Sequence, residues 1–396
     1  MQAIELIILL ILAALLTWWL RRVINKRNTL KNLGHNSSKL STDYFLGLNY
    51  LLNDEPDEAI DTFISALQLN SQTMESHLAL GTLLRRRGKV DKAIKTHQSL
   101  LTMQSPQSDF AESVRLELAS DYVAAGLFDR AERLLQEVFQ DNKPSKWAAL
   151  KQLQIIYQTE KEWDKAIDCA ALLLKGPKSN KTARLRAEAA HYCCELAESA
   201  LAKGDSSAVK EQIKRAFNFD RHSIRARLLG AKIAQAEKNY KLAIKELESV
   251  RQDNPAFTEQ LIKPLGDCYH GLDDRVGYKQ LLSACLSQQP RMSVCLEMAE
   301  LIKTLEGEQA SIEYLSNYLQ NKPSLRGLGA VLKLQSSQAE PELKNNLQLL
   351  TAALEKHLHS KPAYHCNQCG FQAKRFYWLC PSCQSWDGIE AVQDVD

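Results

Sequence analysis

Residues 118–132 read LASDYVAAGLFDRAE, and this stretch decides the fold. It places the small residue Ala119 in one predicted helix, a turn at Gly126, and a second small residue, Ala131, near the start of the next helix. Two small residues let the paired helices approach closely, and the larger Tyr122 fills the space beside them. The stretch therefore predicts a helical hairpin whose apolar face can be buried only by another hairpin.

The same spacing recurs along the chain, which indicates a repeat architecture. Residues that open the second helix of each unit follow one another at intervals of 34, 38, 35, 42, 35, 35 and 32 residues. These residues are Ala59, Ala93, Ala131, Ala166, Ala208, Ala243, Tyr278 and Ala310. The pattern resembles the tetratricopeptide repeat and is weakest in units five and eight. It predicts an all-α superhelical solenoid of about eight units rather than an irregular helical bundle.

Four cysteines near the C-terminus form the motifs Cys366-x-x-Cys369 and Cys380-x-x-Cys383. Each pair turns the chain so that two thiolates face one centre, and two pairs supply a tetrahedral metal site. His365 adjoins the first pair and is predicted to be a surface residue, since a closed tetrahedron has no place for it. Spacing does not choose between a zinc ribbon and a rubredoxin-like iron site, so we expect one tetrathiolate ion, either iron or zinc.

The segment around these cysteines is only about thirty residues long, too short to fold by burial alone, so the ion is expected to stabilise it. Aromatic side chains are predicted to shield the small core of this segment. They are Tyr364, Phe371, Phe376, Tyr377, Trp378 and Trp386.

The N-terminus reads as a membrane anchor. Residues 6–20, LIILLILAALLTWWL, hold no charge, and the apolar stretch approaches the length that crosses a bilayer. Basic residues follow at Arg21, Arg22, Lys26 and Arg27, whereas none precedes the apolar run. The positive-inside rule therefore places the N-terminus outside the cytoplasm and the body on the cytoplasmic side. A cleaved signal peptide is disfavoured because basic residues before the run and a small-x-small site after it are missing.

The charge of the part of the chain that follows the predicted anchor and tether limits the kinds of partner that it can bind. The net charge is +3, and much of the excess lies beside the apolar run, so the body is nearly neutral. A nearly neutral body argues against nucleic acid as a partner, because binding to nucleic acid requires a basic surface. The run Arg85-Arg86-Arg87 is interpreted first as a helix terminus and second as a contact for an acidic partner.

The sequence contains no phosphate-binding loop, no G-x-S-x-G elbow and no H-E-x-x-H motif, so we expect no enzymatic activity. Six further cysteines lack metal-ligand spacing and are predicted to be small buried hydrophobic residues in a reducing compartment. These are Cys169, Cys193, Cys194, Cys268, Cys285 and Cys295.

Five segments follow from these patterns. They are a transmembrane anchor (1–20), a basic juxtamembrane tether (21–40), the repeat array (41–322), a helical cap (323–360) and the metal-binding domain (361–396).

The order of these segments resembles the lipopolysaccharide assembly protein B family of Gram-negative bacteria. The resemblance rests on the stretch Asp121 to Glu132, on Lys361 to Cys366 and on Tyr377 to Cys383. It implies a non-catalytic inner-membrane adaptor, with its N-terminus in the periplasm, that works with a membrane-bound AAA metalloprotease. With that protease, family members promote degradation of the deacetylase that commits precursors to lipid A, and another membrane protein of the lipopolysaccharide pathway restrains them.

The family's metal ligands match Cys366, Cys369, Cys380 and Cys383. Two other functions stay open on the residues alone. One is a membrane-tethered zinc-ribbon protein that binds nucleic acid, and the other is an iron redox protein.

Overall fold

The computed structural model describes residues 50, 58–62, 74–103, 109–141, 143–177 and 182–392. The predicted anchor, the tether and most of the first repeat therefore lie outside the described residues. Within the described ranges, no helix combines the length and the apolar character that a membrane span requires.

The chain divides into two compact units, residues 1–156 and 157–396. The first unit contains helices α1 (Met74–Arg86), α2 (Val90–Thr102), α3 (Asp109–Ala124) and α4 (Phe128–Gln140), and α5 (Lys146–Thr159) runs across the division. The second unit continues with α6 (Trp163–Lys175), α7 (Thr182–Ala202), α8 (Ser206–Phe219), α9 (Ile224–Ala236), α10 (Tyr240–Asp253), a short 3-10 turn (Pro255–Phe257), α11 (Thr258–Gly271) and α12 (Arg275–Gln288). It ends with α13 (Met292–Glu306), α14 (Glu308–Asn321), α15 (Leu325–Gln338), α16 (Pro341–Ser360), β1 (Tyr364–Cys366), β2 (Gln372–Ala373) and β3 (Ile389–Ala391).

Each unit is a stack of helical hairpins. Neighbouring helices pack on one another, and first helices of successive hairpins also touch, as α1 touches α3 and α11 touches α13. Such contacts between adjacent hairpins are the arrangement that repeat proteins use to bury their apolar faces. The prediction of an all-α repeat fold is confirmed.

In repeats two to eight, the fourth residue of the second helix is buried. Ala93, Ala131, Ala166 and Ala243 occupy it and are fully buried. In repeats five and eight, where the sequence pattern is weakest, the residue predicted for this position is wrong by one. Val209 and Ser311 are buried there instead of Ala208 and Ala310. Helices α8 and α14 begin at Ser206 and Glu308, so Ala208 and Ala310 are the third residues of their helices and not the fourth.

The turn between paired helices requires one residue with a left-handed backbone. Gly88 and Gly126 supply it with φ of 74° and 73°. Lys161, Lys238 and Asp273 take the same role with φ of 60°, 58° and 56°. Glycine in the sequence therefore locates some of these turns. The turns at Lys161, Lys238 and Asp273 have another residue at the left-handed position, so the sequence does not mark them in this way.

Gly266 in α11 lies directly beneath the Tyr278 ring of α12. A Cβ added at Gly266 would lie 2.7 Å from the Tyr278 hydroxyl oxygen. That hydroxyl is held 3.3 Å from the carbonyl oxygen of Ile262 and 3.3 Å from a carboxylate oxygen of Glu297. Tyr278 occupies the position that alanine takes in most repeats. Gly266 on the facing helix leaves the space that the tyrosine ring needs.

We expect Gly266→Ala to lower the free energy of unfolding by about 1–3 kcal/mol, because the methyl group overpacks this contact. Gly230→Ala is the matched control, since a Cβ there meets nothing within 4 Å. It should instead stabilise α9 by about 0.5–1 kcal/mol through helix propensity. Urea denaturation of the two variants measures the difference, and Tyr278→Phe should restore part of the loss. Equal effects at both glycines would contradict the proposed contact.

A buried ionic network joins α1, α2 and α3. The carboxylate of Asp121 is fully buried and lies 2.6 Å from Nδ1 of His97 and 2.7 Å from Nη1 of Arg85. Arg85 also bonds Glu117 at 2.6 Å, and this contact outweighs burial and lowers the pKa of the Glu117 carboxyl. Arg87 pairs separately with Asp61 at 2.9 Å. Arg85 and Arg87 of the arginine run therefore form ion pairs within the repeats.

Asp121→Ala removes the shared acceptor of His97 and Arg85, both of which stay buried or half-buried. We expect a loss of about 3–5 kcal/mol in the free energy of unfolding. Asp109→Ala is the control, because that side chain is 96% exposed although it pairs with Lys143. It should change stability little, since exposed pairs are screened by solvent. Hydrogen exchange of α1–α3 amides reports the local effect, and similar protection in both variants would refute the role of the network.

Candidate metal centre and its docking surface

A small antiparallel sheet positions the cysteines. Strand β1 lies in the middle, with β2 on one side and β3 on the other. Cys366 ends β1 opposite Ile389 of β3, so the first cysteine pair follows the central strand. The second pair lies between β2 and β3, where a bridge between Leu379 and Trp386 closes its loop. The sheet thus brings two distant turns to one point.

The four cysteine sulfurs lie together. Every pair of sulfurs is within 4.8 Å, with 3.8 Å between Cys366 and Cys383 and 3.7 Å between Cys369 and Cys380. A tetrahedral ion with metal–sulfur bonds of about 2.3 Å requires sulfurs about 3.8 Å apart. The donor set therefore fits one tetrathiolate ion. Cys366 and Cys380 are buried while the other two are exposed, so one edge of the site faces solvent.

Hydrogen bonds to the sulfurs favour the thiolate form. The Ser385 hydroxyl, 3.1 Å from the Cys383 sulfur, and the Ser385 amide lower the pKa of that thiol to about 6. Burial opposes ionisation of Cys366, but the amides of Gln368 and Cys369 outweigh it and lower its pKa.

Burial dominates at the third sulfur. It raises the pKa of Cys380 to about 11, although the amides of Cys383 and Ser382 also face that sulfur. A bound cation would offset this burial, because a coordinating thiol is deprotonated by its metal. The cysteine spacing predicts that the four thiolates converge, but nothing in it points to Ser385.

Trp386 attaches the metal module (residues 361–392) to the repeats. Its ring stacks on His191 of α7 with centroids 4.6 Å apart and planes 9° apart. Its indole Nε1 donates to Oε1 of Gln158 at 2.9 Å. The neighbouring Asp387 accepts a hydrogen bond of 2.8 Å from Nε2 of His191. One histidine thus holds two consecutive residues of the module.

Trp378 makes a second attachment, to the 3-10 turn before α11. Its ring stacks on Phe257 with centroids 5.7 Å apart and planes 13° apart. The Arg225 guanidinium carbon lies 5.8 Å from both Trp378 and Trp386. Glu195 and Glu198 bond the same guanidinium at 2.8 and 3.1 Å, and these carboxylates outweigh burial and raise the pKa of Arg225. Arg225 is therefore a permanent cation between two rings.

The aromatic residues of the module divide into two groups. Tyr364, Phe371, Phe376 and Tyr377 pack around the buried cysteines, as the sequence predicts. The expectation that Trp378 and Trp386 only shield the same core is incomplete, because both rings are stacked on residues of the repeats. Sequence reasoning missed His191, Arg225 and Phe257, whose residue types carry no metal or docking motif.

The six other cysteines are all buried, which confirms their prediction as core residues. Burial raises the pKa of Cys193 to about 11 and that of Cys194 to about 12. Both stay protonated at neutral pH, so this adjacent pair lacks the thiolate that redox exchange requires.

Comparison with known protein families supports both the metal module and the helical repeats. Residues 364–391 match the family described as "Rubredoxin metal binding domain", and residues 46–108 match "Tetratricopeptide repeat". The crystal structure of a tetratricopeptide repeat protein from Parabacteroides merdae aligns with 79% of this chain and 100% of that chain at 13% identity. Its TM-score of 0.27 is too low to add to the assignment.

Fold and site together define a tetratricopeptide-repeat protein that carries a rubredoxin-type metal module. Lipopolysaccharide assembly protein B of Escherichia coli strain K12 is 32% identical over 392 residues, which span 99% of this chain and 98% of that protein. The protein of the same name in Haemophilus influenzae is 33% identical over 412 residues, with 99% of each chain covered. This chain belongs to the lipopolysaccharide assembly protein B family.

Removing the metal should unfold the module while the repeats stay folded. Trypsin can cut at the exposed Lys374 and Arg375 once the module opens, and we expect chelation to accelerate this cleavage at least about ten-fold. Arg275 in α12 is an exposed internal control whose cleavage rate should not change. Mass spectrometry of the digest measures both rates in one sample. Unchanged cleavage at Lys374 after complete metal removal would show that the module folds without an ion.

Proposed function

We propose that this protein is a non-catalytic adaptor that regulates lipopolysaccharide synthesis at the bacterial inner membrane. The observation that carries the proposal is the end-to-end similarity to proteins named lipopolysaccharide assembly protein B. Stacked helical hairpins support it, because such arrays present long surfaces that bind polypeptides. The docked metal module supports it further, since the module adds its own surface to the array.

In this proposal, residues 1–20 anchor the chain and the body lies on the cytoplasmic side. The charge-free run of residues 6–20 and the arginines that follow it support this placement. An anchor restricts the chain to the membrane and raises its effective concentration beside other membrane proteins. An adaptor for a membrane-bound enzyme gains from such confinement.

The partners that we propose are a membrane-bound AAA metalloprotease and the deacetylase of the lipid A pathway. The adaptor brings the deacetylase to the protease and thereby limits lipopolysaccharide synthesis. Other membrane proteins of the pathway are proposed to bind the same scaffold and restrain it. This part rests on resemblance to the family and on the binding properties of helical repeats.

Loss of the metal site should weaken the adaptor. In cells that carry Cys380→Ser with Cys383→Ser, we expect the deacetylase level to rise several-fold, because the module unfolds and leaves α7 and α9. The matched control is Cys193→Ala with Cys194→Ala, which removes two buried thiols outside the site. Immunoblotting against a membrane-protein standard measures the level. An unchanged level in the first variant, with its module shown to be unfolded, would exclude a role for the metal.

Crosslinking in intact cells tests the partners directly. The full-length chain is purified from membranes after crosslinking, and both the protease and the deacetylase should be enriched with it. The variant with both serines should recover less of each, whereas the control variant should recover as much as the natural chain. Recovery of neither protein with the natural chain would refute the adaptor proposal.

A further inference from the structure

The two cysteine turns, residues 366–371 and 380–385, have the same backbone geometry. In the first turn the amide of Cys366 donates to the carbonyl oxygen of Phe371 at 2.8 Å, and in the second the amide of Cys380 donates to that of Ser385 at 2.9 Å. In both turns the residue after the second cysteine has a left-handed backbone, with φ of 73° and 53°. These residues are Gly370 and Gln384. On backbone geometry alone, the two turns would present their sulfurs in the same way.

The side chain at the last position of each turn breaks this equivalence. In the first turn it is Phe371, which packs against the buried core of the module and carries no donor. In the second turn it is Ser385, whose hydroxyl lies 3.1 Å from the Cys383 sulfur and 3.9 Å from the Cys366 sulfur. A thiolate carries no proton, so the hydroxyl is the donor in this contact.

Gly388 leaves the space that the Ser385 hydroxyl occupies. A Cβ added at Gly388 would lie 2.8 Å from that hydroxyl oxygen and 3.3 Å from the Cys366 sulfur. Gly388 is not among the glycines with a left-handed backbone, so its lack of a side chain serves space and not conformation. Its carbonyl oxygen accepts from the amide of Asn367 at 2.8 Å, which fixes it against the first turn.

The two sulfurs at the solvent-facing edge of the site are therefore unequal. Cys369 and Cys383 are both exposed, and a bound cation keeps both deprotonated. Their reactivity then depends on charge density at sulfur, which a donated hydrogen bond reduces. Ser385 supplies such a bond to Cys383, whereas Phe371 at the corresponding position near Cys369 supplies none.

We propose that Cys369 is the site at which alkylating electrophiles modify the metal-loaded module, and that Ser385 protects Cys383 from the same reaction. The Cys369 sulfur attacks an electrophilic carbon, a sulfur–carbon bond forms, and the leaving group departs with its electron pair. The product is a thioether, which binds a metal more weakly than a thiolate does, so the site opens at this corner. The inference goes beyond the proposed adaptor function and does not depend on it.

Alkylation of the zinc-loaded, full-length chain tests the proposal. The chain is treated with a small amount of iodoacetamide, which releases one iodide per modified sulfur, and mass spectrometry measures the initial rates at Cys369 and Cys383 in one sample. We expect Cys369 to react about three- to ten-fold faster, the factor that a hydrogen bond of about 1 kcal/mol provides.

A pair of serine variants assigns the difference to one hydroxyl. Ser385→Ala should raise the rate at Cys383 about three- to ten-fold and change the rate at Cys369 less than about two-fold. Ser382→Ala is the matched control in the same turn, because that exposed serine offers its amide, not its hydroxyl, to the Cys380 sulfur. It should change neither rate.

Gly388→Ala tests the space around the hydroxyl. The new methyl group should displace the Ser385 side chain and raise the rate at Cys383 as Ser385→Ala does. Combined with Ser385→Ala it should add less than about two-fold, since two changes that act on one contact are not additive. Effects that multiply would overturn the assignment of this contact.

The cobalt-loaded chain gives a readout that separates tuning of the sulfur from unfolding. Loss of a hydrogen bond makes the thiolate a stronger electron donor, so Ser385→Ala should shift the thiolate-to-cobalt charge-transfer band to longer wavelength. An unfolded module would lose the band altogether. Ser382→Ala should leave the band where it is.

Three results would overturn the inference. They are faster alkylation of Cys383 than of Cys369 in the natural chain, an unchanged Cys383 rate in Ser385→Ala, and an unshifted band in that variant. If Ser385→Ala loses the band, Gly388→Ala decides, and an unchanged Cys383 rate there overturns the inference. Partner recovery from cells is measured without the alkylating reagent, so the adaptor proposal stands or falls separately.

Discussion

The metal module can attach to the repeats only if its own fold is rigid, and the tetrathiolate geometry supplies that rigidity. Few residues lie between the cysteine pairs, and the strands beside them are two or three residues long. Sulfurs held 3.7 and 3.8 Å apart fix the two turns relative to each other. Trp378 and Trp386 flank the second turn, so an ion bound by the four cysteines would hold in place the rings that contact Phe257 and His191.

Several modest interactions add up at the contact between the metal module and the repeats. Offset aromatic pairs contribute about 0.5–1.5 kcal/mol each beyond the area that they bury. A desolvated cation against an aromatic face adds up to about 2 kcal/mol, and Arg225 faces two indole rings. Glu195 and Glu198 keep that cation buried, because without them its desolvation would be unfavourable. A module that is already folded loses less entropy on docking than a flexible segment would, so less of this stabilisation is offset.

Local patterns in the sequence predicted the repeats and the metal module. They did not predict the contacts between residues that are far apart in the chain. The repeat period and the cysteine spacing are properties of short segments, and both pointed to the right structure. The one-residue error at Val209 and Ser311 arose because helix starts depend on capping and packing rather than on residue type alone. His191 and Asp387 are 196 residues apart, and no motif in a single sequence links them. The predicted anchor lies outside the described residues and stays a prediction.

Metal binding and docking of the module are linked thermodynamically. The docked surface requires a folded module, and the four cysteines that position its turns are the ligands of the predicted ion. Any molecule that binds only across the junction between module and repeats must therefore stabilise the docked state, by RT ln(1 + [L]/Kd) for a ligand at concentration [L]. Reciprocity then requires that the docked state bind that molecule more tightly than the undocked state. Residues from both parts line this junction, so binding across it depends on the integrity of both.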